Sequence, residues 1–440
     1  MRDKQAYLQA DAEHLSPALN RAFDIVAKKA SGSFIYDMDD TAYLDMTSGI
    51  AVNQVGHAHP EVAQAVAEQA ANCIHTSCVV HYPANIELAE KLASLMPGDI
   101  SNTFFCNSGA ESVDGAIKLI KILQPGRNNF IVHRGSFHGR TLGATSLTTS
   151  KAAYRKFYDP LVPGVHVVDF PNSYAAKTAS ERKAIEESMH ENLEKMFATS
   201  VAPESVAAIL IEPVLGEGGY IPAPFEYVNY LKHLREVCDK YGILLAFDEV
   251  QSGFMRTGKW FASEHYGVVP DIQLMAKGLS GGVPLGAFSS RKELMYKMPP
   301  GSHGSTWGGN PIACKASLKL IEIIERDNIQ ANVHARSEQI FNFFESKYPG
   351  SNTMKLTEDY KDTPVKVRGF GLMIGLEFKS AEFAQKVKQH ALENNVLLLG
   401  CGTYGTVIRL APDLTISEEN TQRALDVIYE GVEKNYVSNN

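Results

Sequence analysis

The sequence lacks the features that mark several large classes of protein. Its six cysteines form no C-x-x-C pair, so it indicates neither a disulfide framework nor a zinc ribbon and favours a reducing compartment. No apolar run is long enough to cross a bilayer, and the first residues lack the apolar core of a signal peptide. These absences predict a cytoplasmic protein with no membrane partner.

Clusters of basic residues are also missing. The net charge is -8, and no group of lysines and arginines is long enough to follow a phosphate backbone. We therefore expect no nucleic-acid partner. With 440 residues, of which 44% are apolar and 21% are charged, the chain is typical of a globular protein of two domains acting on small molecules.

Strand-like apolar runs alternate with helical patterns between about residues 59 and 320. This alternation predicts an α/β fold: a mainly parallel central sheet with helices on both faces, whose ligands bind at the edge where the strands end. Residues 321–440 read as one long helical segment followed by short strands, which predicts a smaller α+β domain. Residues 1–58 would contribute a hairpin at 33–49 to that smaller domain.

Two adjacent carboxylates, Asp248 and Glu249, end the apolar run GILLAFDE. A strand this apolar is usually buried on both faces, so an ionised aspartate at its end needs a positive partner or a solvated cleft. A P-loop nucleotide hydrolase ends a strand in the same way where it holds magnesium. That class also requires G-x-x-x-x-G-K-[ST], which is not found in this sequence.

Lys277 follows another apolar run and precedes a glycine-rich turn in DIQLMAKGLSGG. Alone, such a lysine is either a surface residue or a Schiff-base nucleophile. Together with Asp248 it matches pyridoxal phosphate, which needs a lysine to hold its aldehyde as an imine and a carboxylate to keep its pyridine nitrogen protonated. The protonated ring would then be the positive partner that Asp248 needs.

The segment NSGAESVDGAIKLI predicts a seat for the phosphate of this cofactor. Ser108 and Glu111 form a capping-box pattern, which places a helix N-terminus beside Gly109. Free backbone N–H groups at such a terminus bind anions, and glycine lets the anion approach closely.

Six motifs occur in order: NSGAES, GSFHGRT, IEPVLGEGG, DEVQSGFMRTG, MAKGLSGGVPLGA and GSTWGGNPIAC. Together they resemble the class III, or omega-amino acid, aminotransferases of the pyridoxal-phosphate fold-type I superfamily, from about residue 16 to near the C-terminus. The resemblance implies a fold-type I transferase. It also implies a homodimer in which each active site is shared between the two subunits.

The resemblance further implies a role for each matching residue. Lys277 would be the imine lysine and the base that moves a proton between the substrate carbon and the cofactor, and Asp248 would pair with the pyridine nitrogen. The remaining cofactor-binding candidates are Gly109 and Ala110 for the phosphate through backbone N–H groups, Thr306 for the phosphate of the neighbouring subunit, Phe137 and Val250 for the two ring faces, Gln251 for the ring hydroxyl, and His138 beside Phe137. Relatives often carry serine where this chain has Ala110, so one side-chain contact to the phosphate is lost.

Four further residues are candidates for substrate binding. Arg140 and Arg409 are either solvated surface groups or the guanidinium groups with which the family binds substrate carboxylates. Glu217 either braces the glycine turn of GEGG or matches the glutamate that relatives use as a switch, and Ile50 completes the predicted substrate pocket. No metal is expected, because the H-x-H pair His57 and His59 has no matching cluster.

The resemblance implies a ping-pong transfer of an amino group from an omega-amino acid to 2-oxoglutarate through the Lys277 imine. The long approach to the strand of IEPVLGEGG favours a 4-aminobutyrate aminotransferase. Acetylornithine or ornithine aminotransferases would share every cofactor residue and remain an alternative. An amino-acid racemase on the same scaffold is a further one, although Arg140 and Glu217 suit two carboxylate-bearing substrates. A non-enzymatic binding protein would be expected to have lost Lys277 or Asp248.

Overall fold

The structure is a computed structural model, and it describes residues 2–355 and 362–436. Its strands belong to one seven-stranded sheet, two four-stranded sheets and a two-stranded ribbon. The strands are β1 (Ala27–Ser31), β2 (Phe34–Asp37), β3 (Ala42–Asp45), β4 (Asn102–Cys106), β5 (Asn129–His133), β6 (Val165–Val168), β7 (Val206–Ile211), β8 (Val214–Leu215), β9 (Ile221–Pro222), β10 (Leu244–Asp248), β11 (Ile272–Met275), β12 (Gly286–Ser290), β13 (Val365–Phe370), β14 (Met373–Phe378), β15 (Val396–Leu397), β16 (Leu399–Cys401) and β17 (Val407–Leu410).

The helices range from single turns to 21 residues. Several begin with a side-chain cap, such as Ser380, which accepts a hydrogen bond from the backbone N–H of Phe383. The helices are α1 (Lys4–His14), the distorted turn α2 (Ser48–Ala51), α3 (Pro60–Asn72), α4 (Pro83–Leu95), α5 (Gly109–Leu123), α6 (Leu142–Leu147), α7 (Ala179–Thr199), α8 (Tyr230–Tyr241), α9 (Lys292–Met295), α10 (Pro311–Arg326), α11 (Ile329–Lys347), α12 (Ala381–Glu393) and α13 (Glu418–Tyr436). None of the helices in the described ranges is both long and apolar enough to cross a membrane.

The seven-stranded sheet has the order β4-β12-β11-β10-β7-β5-β6. Every pairing is parallel except the two made by β12, which runs antiparallel to β4 and β11. Strands β4, β10 and β11 therefore run in the same direction and end at one edge of the sheet. The chain then continues from each strand end into the segments that carry the predicted site.

Alternate residues of the central strands enter two hydrophobic cores, one on each face of the sheet. Ile209 and Ile211 pack with residues of α7 and α8, whereas Ala208 and Leu210 pack with residues of α5. A strand buried on both faces must be apolar along its whole length, as β7 is. The predicted α/β fold with helices on both faces is thus confirmed.

One four-stranded sheet combines the N-terminal strands with a strand late in the chain, and the other consists of late strands alone. The hairpin of β2 and β3 forms as expected, and β3 pairs in parallel with β15, while β13, β14, β17 and β16 form the other sheet. Helix α10 contributes to two hydrophobic cores. Leu320 packs in one core with residues of the C-terminal strands and helices, and Ile321 packs in another with residues of α4. The domain boundaries at residues 58 and 320 stay a prediction.

Two local features differ from the sequence-based expectation. The segment expected as one long helix is divided into α10 and α11, because Asn328 adopts a positive φ of 49° that no helix continues through. Strand β12 was not predicted. It consists of small residues around Phe288, whose ring lies so close to Gly115 that a Cβ there would be 2.3 Å from it.

Candidate active site

A cavity of about 560 Å³ lies at the edge where β4, β10 and β11 end. It brings together segments that are far apart in the sequence, including ten of the residues predicted to bind cofactor or substrate. The cavity is lined by Val52, Asn107, Ser108, Gly109, Ala110, Phe137, His138, Gly139, Arg140, Glu212, Glu217, Asp248, Val250, Gln251, Ala276, Lys277, Gly282, Val283, Pro284 and Leu285.

The two carboxylates that end β10 have different surroundings. Asp248 faces the cavity, where its Oδ2 lies 2.8 Å from Nδ1 of the fully buried His138 and its Oδ1 accepts the backbone N–H of Val250. Glu249 points away and accepts hydrogen bonds from the backbone N–H groups of Ala262 and Ser263, which brace the following loop. Burial raises the pKa of Glu249 to about 7.

Lys277 lines the cavity directly after β11 and is partly buried. Burial lowers the pKa of its ammonium group to about 8, and the positive charge of Arg409 acts in the same direction. An amine with such a pKa is partly neutral at ordinary pH and therefore nucleophilic. Lys277 also has a positive φ of 46°, an uncommon conformation for a residue with a side chain.

Helix α5 points its N-terminus at the cavity. Ser108 is the N-cap and accepts the N–H of Glu111 at 3.2 Å, while the Glu111 carboxylate reaches back to the N–H of Asn107 at 2.7 Å. Gly109 and Ala110 are the first residues of the helix, so their N–H groups have no partner within it. A side chain at position 109 would not fit, because its Cβ would lie 2.8 Å from Val250.

The floor of the cavity contains a second buried carboxylate and an unsatisfied amide. Glu212 accepts the N–H groups of Phe137 and Gly216, both at 2.8 Å, and burial together with the charge of Asp248 raises its pKa. The Oε1 atom of Gln251 is buried and has no hydrogen-bond partner among the described residues. A donor on a bound group would satisfy this buried acceptor.

Arg140 lies at the mouth of the cavity and is exposed. Its guanidinium carbon lies 3.9 Å from the ring centroid of Tyr154 and 5.5 Å from that of Phe137, so aromatic faces hold it in place. It makes no ion pair with any carboxylate in the described part of the chain. This leaves its charge available for an anionic ligand.

Glu217 is held by three donors from two parts of the chain. Its Oε2 accepts from Nη1 of Arg409 at 3.2 Å, and its Oε1 accepts from Nζ of Lys151 at 2.8 Å and from the hydroxyl of Tyr154 at 2.9 Å. Burial would raise the pKa of Glu217, but the charges of Arg409 and Lys151 outweigh it and lower the pKa below its ordinary value. Glu217 is therefore ionised.

Three predicted residues do not line the cavity. Arg409 lies behind Glu217 on β17, Thr306 is exposed on a surface segment, and Ile50 is 44% exposed with a φ of 122°. A β-branched residue rarely adopts that φ, and such backbone strain is common at functional sites.

Two histidines that do not line the cavity, His57 and His133, have polar partners of their own. Nε2 of His57 lies 2.8 Å from Oδ2 of Asp45, and Nε2 of His133 lies 2.7 Å from the hydroxyl of Tyr230. No group of three or more His, Cys, Asp or Glu side chains in residues 2–355 and 362–436 is arranged to hold a metal ion.

Sequence reasoning missed Lys151 and Tyr154 at this site. Both lie in TTSKAAYRKF, a loop with no hydrophobic periodicity, and reach Glu217 across more than 60 positions of the chain. Sequence reasoning also assigned no specific contact to His138. Its position next to Phe137, a predicted ring-stacking residue, was a signal that this segment lies close to Asp248.

The site fits the chemistry of pyridoxal phosphate. A lysine with a lowered pKa and an aspartate share one cavity with the N-terminus of α5 and with a buried amide oxygen that has no hydrogen-bond partner among the described residues. A fold of this type with this donor set defines a pyridoxal-phosphate-dependent enzyme.

Comparison with known proteins identifies the family. Residues 16–432 match the model of aminotransferase class III, and the chain belongs to that family of pyridoxal-phosphate-dependent enzymes. It is 37% identical over 423 residues to an acetylornithine aminotransferase from Archaeoglobus fulgidus, covering 96% of this chain and 99% of that one, and 39% identical over 407 residues to one from Methanosarcina mazei, covering 92% and 91%. A PLP-bound amine transaminase from an uncultivated Pseudomonas species has a similar structure, with a TM-score of 0.82, 27% identity and coverage of 96% and 97%.

These comparisons confirm the predicted family, cofactor and enzymatic nature. They do not support the predicted substrate in the same way, because the two relatives are named acetylornithine aminotransferases. The alternative of the sequence analysis is therefore better supported than its leading choice, 4-aminobutyrate.

Proposed function

We propose that this enzyme transfers the terminal amino group of an N-acylated diamino acid of the acetylornithine type to 2-oxoglutarate, in two half-reactions at one site. The names of relatives that match almost the whole chain support the donor class. The observation that carries the proposal is one cavity in which Lys277 and Asp248 lie near two arginines, Arg140 and Arg409, and one ionised carboxylate, Glu217.

The cofactor-binding roles are assigned to the residues that line the cavity. Gly109 and Ala110 would hold the phosphate, Phe137 and Val250 would contact the ring faces, and Gln251 would accept from the ring hydroxyl. When bound, pyridoxal phosphate withdraws electrons from the reacting carbon of the substrate.

Asp248 would keep the ring nitrogen protonated, and His138 would fix the orientation of the Asp248 carboxylate. Lys277 would hold the cofactor covalently and, once displaced by substrate, remove a proton from the reacting carbon. Its lowered pKa favours the neutral amine that this proton transfer needs.

Substrate carboxylates would be bound by the two arginines. Arg140, with aromatic contacts and no acidic partner in the described part of the chain, would hold the carboxylate distant from the reacting carbon in both half-reactions. Arg409 would hold the α-carboxylate of glutamate or 2-oxoglutarate, which has to displace Glu217. With a donor that reacts at a terminal carbon no such carboxylate is present, and Glu217 would neutralise Arg409.

The charges around the mouth of the cavity favour an acylated donor over free ornithine. Arg140 at the mouth and Lys151 beside Glu217 are positively charged, and Glu217 already accepts from three donors. The additional ammonium group of ornithine would be repelled by these cations, whereas an acetamide is neutral. Ile50 and the residues near it would contact the substrate.

A homodimer is part of the proposal, because Thr306 lies outside the cavity of its own subunit. The carbonyl of Thr306 lies 2.6 Å from Nε2 of His75, and the ring of His75 stacks on Trp307, which is 61% exposed. Val79 is 81% exposed in this region. An apolar surface of this kind is typical of an interface, and it would allow Thr306 to reach the phosphate of the partner subunit.

The proposal is tested by comparing kcat/KM for three donors with 2-oxoglutarate as the acceptor. We expect N-acetylornithine to exceed ornithine by at least about tenfold, the factor that one unfavourable charge contact of about 1.4 kcal/mol produces. We also expect it to exceed 4-aminobutyrate, because the similar relatives are named acetylornithine aminotransferases. A higher kcat/KM for 4-aminobutyrate would restore the leading choice of the sequence analysis. Interconversion of the two enantiomers of an amino acid without any need for an oxo acid would instead indicate a racemase.

A further inference from the structure

Glu217 faces two cations that lie on separate parts of the fold. Arg409 approaches one carboxylate oxygen from β17, and Lys151 approaches the other from the loop that follows α6. The hydroxyl of Tyr154 supports the oxygen that Lys151 contacts. Loss of the contact to Arg409 would therefore leave the contact to Lys151 in place.

We propose that Lys151 is a second anchor for Glu217, a positioning residue that makes the site tolerate substrates with an α-carboxylate. The inference rests on the proposed function, in which that carboxylate takes Arg409 from Glu217. The side chain of Glu217 is only 16% exposed, so water would solvate a displaced carboxylate poorly. Lys151 keeps the charge of Glu217 paired when Arg409 is occupied.

The properties of Lys151 suit this role. Burial would lower the pKa of its ammonium group, but the charge of Glu217 outweighs burial and raises it, so Lys151 remains charged. Its side chain is 30% exposed and ends in a single flexible ammonium group, which can follow a carboxylate that moves. Tyr154 carries no charge and cannot replace Lys151. Among the described residues, only Lys151 and Arg409 form ion pairs with Glu217, and Lys388 is not one of its partners.

The test uses the holoenzyme and two unreactive ligands. Glutarate carries the two carboxylates of 2-oxoglutarate but has no oxo or amino group, and pentanoate lacks one of the carboxylates. By calorimetry we expect Lys151→Met to weaken glutarate binding about tenfold or more, the effect of losing a hydrogen bond between charged groups. Binding of pentanoate should change less than about twofold, since it leaves the Glu217–Arg409 pair intact.

Three matched variants separate an anchor from other roles. Lys151→Arg should restore most of the glutarate affinity, and Tyr154→Phe, which removes a hydrogen bond but no charge, should weaken it less than Lys151→Met does. In a Glu217→Gln background, Lys151→Met should no longer affect glutarate binding, because no carboxylate has to be displaced. Unchanged thermal unfolding of Lys151→Met would show that the variant is folded.

Each of the other outcomes would overturn the inference. An equal loss of glutarate affinity in the Glu217→Gln background would mean that Lys151 binds the ligand directly. Equal losses for glutarate and pentanoate would indicate a general structural role, and no loss would exclude an anchor. Because neither ligand reacts, these results stand even if the donor comparison disproves the proposed function.

Discussion

The pairing of Glu217 with Arg409 leads to a prediction about two variants with opposite effects. In Glu217→Gln the amide still accepts from Lys151 and Tyr154 but no longer neutralises Arg409. The guanidinium would then be unpaired while a terminal amine reacts, yet it would still be paired when glutamate supplies its α-carboxylate. Arg409→Ala removes the group that binds this carboxylate and should impair the glutamate half-reaction instead.

The magnitude follows from the surroundings of the pair. The two side chains are 10% and 16% exposed, so they form a largely desolvated contact, and leaving one charge of such a pair unpaired typically costs about 2 to 5 kcal/mol. The 3.2 Å distance and the partial exposure favour the lower end. About 2 kcal/mol corresponds to roughly a 30-fold slower half-reaction.

Stopped-flow absorbance of the bound cofactor measures each half-reaction separately, with N-acetylornithine in one and glutamate in the other. Tyr154→Phe is the control, because it removes a neutral donor to Glu217 and should slow both halves only slightly. Equal slowing of both halves in both principal variants would refute the reasoning and leave Glu217 as a structural brace. The observed side chain contacts Lys151, Tyr154 and Arg409 rather than the glycine turn, which argues against a brace.

The remaining predictions concern the cofactor. Lys277→Ala should lose the visible absorbance of the holoenzyme, and peptide mapping after borohydride reduction of the wild type should find the cofactor on Lys277 and on no other lysine. Asp248→Asn should retain cofactor but lose turnover by about 3 kcal/mol or more, over 100-fold, because an amide cannot keep the ring nitrogen protonated; near wild-type turnover would exclude that role. In the cofactor-free protein, competitive acetylation of Lys277 should rise with pH through a midpoint near 8, since the neutral amine reacts and burial lowers its pKa, whereas a midpoint above 10 would show an ordinary lysine.

The sequence predicted the central sheet well because its strands are apolar on both faces. Strand β7, VAAILI, has no polar residue that would allow another assignment. Strand β12 was not predicted because its sequence, GAFSS, consists mostly of small residues. Small residues are needed there because the strand packs closely against α5, and that packing is visible only in three dimensions. The break between α10 and α11 at Asn328 was not predicted either, because the helical spacing of apolar residues continues on both sides of it.

The residues of the candidate site also divide into those that the sequence predicted and those that it did not. Lys277, Asp248 and the start of α5 were found because chemistry dictates their residue types and their places after strands or at a helix start. Lys151 and Tyr154 were missed because no local pattern marks them, and only the tertiary fold brings their loop to Glu217. The partner of Asp248 was expected to be a cofactor ring alone, whereas His138 also lies 2.8 Å from its carboxylate.

The central claim is that nitrogen passes from a terminal amine to 2-oxoglutarate at Lys277. The most direct measurement supplies N-acetylornithine labelled with ¹⁵N at its terminal nitrogen, together with unlabelled 2-oxoglutarate, and follows the products by mass spectrometry. We expect ¹⁵N-labelled glutamate in an amount equal to the aldehyde formed from the donor, and no labelled glutamate with Lys277→Ala. Unlabelled glutamate, release of the label as free ammonia, or equal transfer by the variant would contradict it.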